Sequence, residues 1–299
     1  MPSFTTGTAR RRRGSAAAAG TAVSALALVL TLPGTTSAVS GDQEGAGRSA
    51  QKRANPAEPT QRGQAWMGAG VQMREGDRTD GRPPGKRAGL KASVHGVDVS
   101  SHQKNVNWKG LWNKGVRWAY VKATESTNYK NPYFAQQYNG SYKRGMIRGA
   151  YHFATPNTSS GATQANYFAK NGGGWSKDGK TLPGVLDIEY NPYGSTCYGL
   201  SKSAMVKWIK DFTRTYKART GRDAVIYTNT NWWKQCTGNS RSFGRTNPLW
   251  VARYASSPGA LPAGWGFYTF WQYTSSGPIV GDHNTFNGSM ARLKVLANG

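Results

Sequence analysis

The sequence predicts an α/β fold, a modified TIM-like barrel, and three observations lead to it. From Val94 onward, short apolar runs of β character alternate with amphipathic or polar stretches, the pattern of a parallel sheet with helices outside it. Eight such runs fit between residues 94 and 299, enough strands to close a barrel. The few acidic residues of this region gather where those runs end, the face on which β/α barrels carry their chemistry.

The elements follow in order. Val94–Val99 is the first strand and Trp108–Asn113 a short helix. Val116–Ala123 is the second strand. Pro132–Arg144 reads as a helix because Phe134 and Tyr138 stand four residues apart, with Tyr142 a further turn on. Met146–Phe153 is the third strand, and Ser160–Lys170 a helix that turns Ala165 and Phe168 inward. The glycines 172–174 do not stand between a strand and a helix start, so they read as a loop and not as a phosphate cradle. Leu182–Ile188 is the fourth strand. Lys202–Thr220 is the longest helix: Met205, Val206, Ile209, Phe212 and Tyr216 recur at helical spacing, and Gly221 is its stop signal. Ala224–Thr228 is the fifth strand, after which helical patterning fades. Leu249–Tyr254, Phe267–Tyr273 and Ile279–Phe286 are three further strands, and a short segment, Ser289–Val295, follows.

Two stretches precede this domain. Arg10–Arg13 is followed by an Ala-, Val- and Leu-rich run from Ala16 to Leu32 and by small residues up to Ala38. Residues 1–38 therefore read as a secretory signal peptide, with both the general and the twin-arginine export routes open. Residues 39–93 contain few aliphatic residues larger than Ala, Val71 and Leu90 among them, and no apolar period. Such a stretch buries too little surface to offset its ordering entropy, so a disordered basic linker or a removed pro-segment is expected. Secretion places Cys197 and Cys236, the two cysteines of the chain, in an oxidising compartment where they are expected to pair.

Lys and Arg number 39 against 14 Asp and Glu, a formal charge of +25. This favours anionic partners, whether nucleic acid, acidic membrane or anionic wall. The acids are more informative than the bases. Between residues 94 and 299 there are eight, and five of them, Asp98, Glu125, Asp187, Glu189 and Asp282, fall at expected strand ends. Asp187 and Glu189 share one face of an extended chain, about 7 Å apart at the backbone. Two acids so placed repel one another, which stability alone does not select, whereas a proton donor beside a negative charge needs that arrangement. Glu125 also has a structural reading, paired with Lys122 or Lys130, and His152 reads as a packed, satisfied histidine. The four histidines show no metal-ligand spacing, so neither metal nor cofactor is expected.

Several segments together resemble the glycoside hydrolase family 25 lysozymes, the Chalaropsis type. They are Gly96-Val97-Asp98-Val99-Ser100-Ser101-His102-Gln103, Ala119–Glu125, Gly149-Ala150-Tyr151-His152-Phe153, Leu186-Asp187-Ile188-Glu189, Ala224–Thr228, Leu249–Tyr254 and Phe270-Trp271-Gln272-Tyr273. The resemblance covers residues 94–299. It implies a barrel of five β/α units followed by three strands with little helix. It also implies cleavage of the β-1,4 bond between N-acetylmuramic acid and N-acetylglucosamine in peptidoglycan. By position Glu189 is then the general acid, Asp187 the carboxylate that orients the substrate 2-acetamido group, and Asp98 and Asp282 the other groove carboxylates. Glu125, Tyr151, Tyr227, Trp271 and Gln272 are expected at the substrate. The partner is peptidoglycan in an anionic bacterial wall, the protein is secreted and monomeric, and neither nucleic acid nor membrane insertion after signal cleavage is expected. The competing reading is a cationic wall-binding or antibacterial protein without catalysis, for which the full acid set has no use.

Overall fold

The computed structural model describes residues 58–77, Thr79 and residues 93–299, all within one compact unit, Ser49–Gly299. The expected signal peptide and the rest of 39–93 lie outside the described residues. Among the described residues no helix is long and apolar enough to cross a membrane.

Eight strands close the barrel. They are β1 (Val94–Val99), β2 (Trp118–Glu125), β4 (Ile147–Phe153), β5 (Val185–Asp187), β6 (Val225–Thr228), β7 (Leu249–Ala252), β8 (Phe270–Thr274) and β9 (Asp282–Phe286). β1 pairs with β2 on one side and β9 on the other, which closes the ring. A two-residue strand, β3 (Tyr129–Lys130), lies against the end of β2. The first seven barrel strands run parallel, but β9 is antiparallel to both neighbours. Its N-terminal end therefore lies at the face where the other strands have their C-terminal ends. That reversal brings Asp282 into register with Asp98.

Five β/α units precede the three helix-poor strands, as the resemblance implies. Their helices are α2 (Trp108–Asn113), α3 (Phe134–Lys143), α4 (Gly161–Phe168), α5 (Lys202–Thr220) and α6 (Thr230–Thr237). Helical patterning does not fade at Thr228: α6 starts two residues later. Its buried face is Trp232, Trp233, Cys236 and Thr237, residues of low helix propensity that packing overrides. Asn229 caps it by accepting from the Trp232 amide at 3.0 Å. The closing segment is helical too, as α7 (Met290–Asn298), and the chain leaves helical geometry at Asn171 and Gly172 soon after α4, so the glycines 172–174 lie in an irregular turn, in keeping with the expected loop. Cys197 and Cys236 form a disulfide that ties the loop after β5 to α6.

The interior of the barrel is aromatic at its base. Trp118, Tyr120, Trp250 and Phe270 touch one another with ring centroids 4.8 to 6.0 Å apart. Gly96 leaves the space that the Trp118 indole fills, and Gly149 does the same for the Tyr120 ring; a Cβ at either would collide with it. Outside the strands, Val97, Val99 and Val121 pack with Trp108 and Leu111 of α2. His152 faces outward between Thr124 and Gln164, with Phe168 and Phe212 against its ring.

Residues 58–77 depart most from expectation. They do not remain unpacked. Ala65, Met67, Ala69 and Val71 are buried, and Ala69–Glu75 forms a short helix, α1, at the mouth of the barrel. The sequence carries no long apolar period here because the segment buries a few side chains, among them Trp66, Met67 and Val71, together with backbone, and no continuous stripe of large aliphatics.

Candidate active site

Strand alternation lifts a polar layer above the aromatic base. β1 contributes Asp98, β2 Lys122, β4 Tyr151, β5 Asp187, β6 Tyr227, β8 Gln272, and β9 Asp282 and Asn284. Glu189 follows two residues after Asp187, just past the end of β5. All four proposed acids are buried, Asp187 and Glu189 without any exposed surface. Ile188 between them is buried on the opposite side, in the core outside the barrel.

Gln272 organises one half of the site. Its Nε2 donates to Asp98 at 2.9 Å and to Asp282 at 3.3 Å. Its Oε1 accepts from the hydroxyls of Tyr227 at 2.5 Å and Tyr254 at 3.0 Å. The amide can satisfy two carboxylates and two hydroxyls only in this orientation. Asn284 adds a second donor to Asp98, at 2.7 Å. Burial still dominates and pushes the Asp98 carboxyl from 3.8 up to about 7. Asp282 is raised well above the carboxylate range by burial and then by the charge of Asp98.

Lys122 organises the other half. Its ammonium is buried and donates to Glu125 at 2.6 Å. The other Glu125 oxygen accepts from the Tyr193 hydroxyl at 2.8 Å. Glu125 thus pairs with Lys122, one of the two lysines expected for it, and the Lys122 charge also works against the rise of the Asp187 carboxyl.

The doublet itself meets unlike surroundings. Glu189 accepts from the amides of Gly68 at 2.6 Å and Val71 at 3.0 Å, one on each carboxylate oxygen. Burial nevertheless lifts it to about 8, the direction a general acid needs. Among the described residues neither oxygen of Asp187 has a hydrogen-bond partner. Burial first, and the charge of Glu189 second, raise its carboxyl well above the usual range. No donor among the described residues offsets that burial, so these surroundings favour the neutral form of Asp187.

Tyr151 joins the cluster, its hydroxyl accepting from the Met67 amide at 3.3 Å. Trp271 does not. It points away from the side of β8 that carries Gln272, its indole N–H donates to the Arg253 carbonyl at 2.9 Å, and it packs edge-on against Tyr268 and Tyr273. Period-2 alternation places Trp271 and Gln272 on opposite faces, a signal already present in the sequence. Tyr193 and residues 63–77 carry no comparable signal, since they reach the site through irregular chain.

A family model described as glycosyl hydrolases family 25 matches residues 97–282, from the first strand to the acid of the last. The chain belongs to this family. Lysozyme M1 of Streptomyces globisporus is 45% identical over 309 residues, with 100% of this chain and 99% of that protein covered. N,O-diacetylmuramidase of a Chalaropsis species is 50% identical over 211 residues, covering 69% of this chain and all of that one. The solved muramidase of Acremonium alcalophilum is 60% identical at a TM-score of 0.68 and is matched over 99% of its length by 69% of this chain. Membership makes the chain a glycoside hydrolase and agrees with the barrel of five β/α units. The acid layer of this family 25 enzyme is built from strands spread over the whole domain, which is why one sequence motif cannot display it.

Proposed function

We propose that this family 25 enzyme is a secreted N-acetylmuramidase that hydrolyses the β-1,4 bond between N-acetylmuramic acid and N-acetylglucosamine in peptidoglycan. The names of its relatives, lysozyme and N,O-diacetylmuramidase, support the substrate class. The observation that carries the assignment of roles is the Asp187–Glu189 doublet, buried at the barrel mouth with Glu189 raised to about 8.

Glu189 donates its proton to the glycosidic oxygen as the bond to C1 breaks. The two oxygens of Asp187 that lack a donor are acceptors that a substrate acetamido N–H can satisfy. Accepting that N–H favours ionised Asp187, which stabilises the positive charge as the acetamido oxygen closes on C1. Glu189, now deprotonated, takes a proton from water as it opens the cyclic intermediate, and the β configuration is retained. Asp98 and Asp282 complete the carboxyl layer, and Tyr151, Tyr227, Gln272 and Glu125 shape it.

Replacement of Glu189 by Gln is expected to lower reducing-end release from purified peptidoglycan by about 10²–10⁴-fold. Wild-type rates in that variant would remove the acid from its role. Proton NMR of the first product tests stereochemistry: the β-anomer of muramic acid is expected, and the α-anomer would exclude assistance by the acetamido group.

A further inference from the structure

The active-site layer is not open in this chain. Residues 58–77 lie across it. The Gly68 and Val71 amides occupy both oxygens of Glu189, and Gly70 and Met67 lie between and beside them. The Met67 carbonyl lies 3.1 Å from Gln272 Nε2 and shares its two hydrogens with Asp98 and Asp282, and the Gly68 carbonyl, 3.2 Å from the Tyr254 hydroxyl, shares that one hydrogen with Gln272 Oε1. Lys122 donates to the carbonyls of Ala65 at 2.5 Å and Gly63 at 3.3 Å. Farther along, Glu75 accepts from Tyr190 at 2.8 Å and Asn229 at 2.6 Å, and Asp77 from Thr274 and the Ser275 amide, both at 2.7 Å. A cleft of about 240 Å³ has Glu75 in its wall, and another of about 210 Å³ has Arg62, so open groove remains at either end of the segment.

We propose that residues 58–77 are an autoinhibitory plug, and that the enzyme acts on wall polymer only after the plug leaves the groove. The proposal rests on the muramidase reading above and adds its regulation. A carboxyl with both oxygens engaged by amides and no exposed surface cannot deliver a proton to a glycosidic oxygen. The plug reaches the acids with backbone N–H and C=O groups, and these polar contacts stand where substrate hydroxyl and acetamido groups would compete. The segment bonds to the site at both its ends and at its centre, so it excludes substrate along its length. Covalent attachment holds it at an effective concentration of about the millimolar range, which severance removes. The solved muramidase is matched over 99% of its length by 69% of this chain, a share that residues 94–299 by themselves amount to.

The test uses the full chain with two glycines of the plug altered. A side chain at Gly68 would strike Tyr254, Gln272 and Tyr227, and one at Gly70 the Tyr190 carbonyl, so Gly68→Asp with Gly70→Asp should expel the segment while leaving every acid in place. A second form carries a site-specific protease sequence inserted between residues 79 and 93. Reducing-end release from purified peptidoglycan should be at least tenfold faster for the double variant, and for the cleaved form on dilution, than for the intact chain. A synthetic peptide of residues 58–77 should inhibit the cleaved form. Equal rates in the intact, cleaved and double-variant proteins would overturn the plug while leaving the muramidase reading standing. If no form releases reducing ends, the muramidase reading fails, and hydrogen exchange at residues 187–190 decides the plug: faster exchange in the double variant supports it, and unchanged exchange overturns it.

Discussion

Asp187 and Glu189 stand two residues apart and meet opposite surroundings. Glu189 has a donor on each oxygen, and Asp187 has none. Asp98 lies between these extremes, with two side-chain amides and a carboxyl near 7. A group raised in the folded state holds a proton that the unfolded chain has released. Its stabilising contribution is full below the unfolded value of 3.8 and is lost as pH rises through about 7. Asp98→Asn should therefore flatten the fall in melting temperature between pH 4 and pH 8, where one proton is worth about 1.4 kcal/mol per pH unit. A wild-type slope in the variant would contradict the buried, raised Asp98. The Asp98 charge also helps hold Glu189 up, so in the plug-free enzyme the alkaline limb of the rate profile should move to lower pH in the same variant. Spacing in the sequence identifies the doublet, but not which oxygen finds a donor, since Gly68 and Val71 are more than a hundred residues away from Glu189.

Among elements, the reversed β9 and the helix α6 matter most to the site. A parallel last strand would put Asp282 at the opposite end of the barrel from Asp98; the antiparallel one pairs them in register. Alternation along the chain does not distinguish these cases, because side chains alternate faces in either direction. α6 is held to the loop after Glu189 by the Cys197–Cys236 disulfide, with Cα atoms 5.3 Å apart across a separation of 39 residues. Replacing both cysteines by Ser should lower unfolding stability by about 3–4 kcal/mol on the chain-entropy account. It should also loosen the loop that carries Tyr193 and Tyr198, and chemical denaturation of the variant and of the reduced wild type measures this. A midpoint unchanged by both treatments would mean that aromatic packing of Trp232 and Trp233 alone fixes the helix.

At the scale of the molecule, charge and occupancy act together. Residues 94–299 carry 25 Lys and Arg against eight Asp and Glu, and five of those eight are the buried acids Asp98, Glu125, Asp187, Glu189 and Asp282. The outer surface is thus more basic than the net count suggests. Attraction to wall phosphates acts over a Debye length of about 8 Å at physiological salt. Activity of the plug-free enzyme on intact walls should fall as salt rises, with a smaller loss on short neutral fragments. Equal loss on both would assign the salt effect to the site itself.

The sequence by itself determined the barrel, the helices with an aliphatic or aromatic stripe, the doublet, and the strand-end positions of the other acids. Each is a local pattern with a period of 2 or 3.6, or a short motif at a strand end. Only the tertiary structure decided the direction of β9, the helix built on Trp232 and Trp233, and the seat of residues 58–77. These depend on which distant groups meet. The plug is held chiefly by backbone amides and carbonyls that every sequence possesses, and so it leaves no compositional trace beyond its small residues and its glycines at 68 and 70.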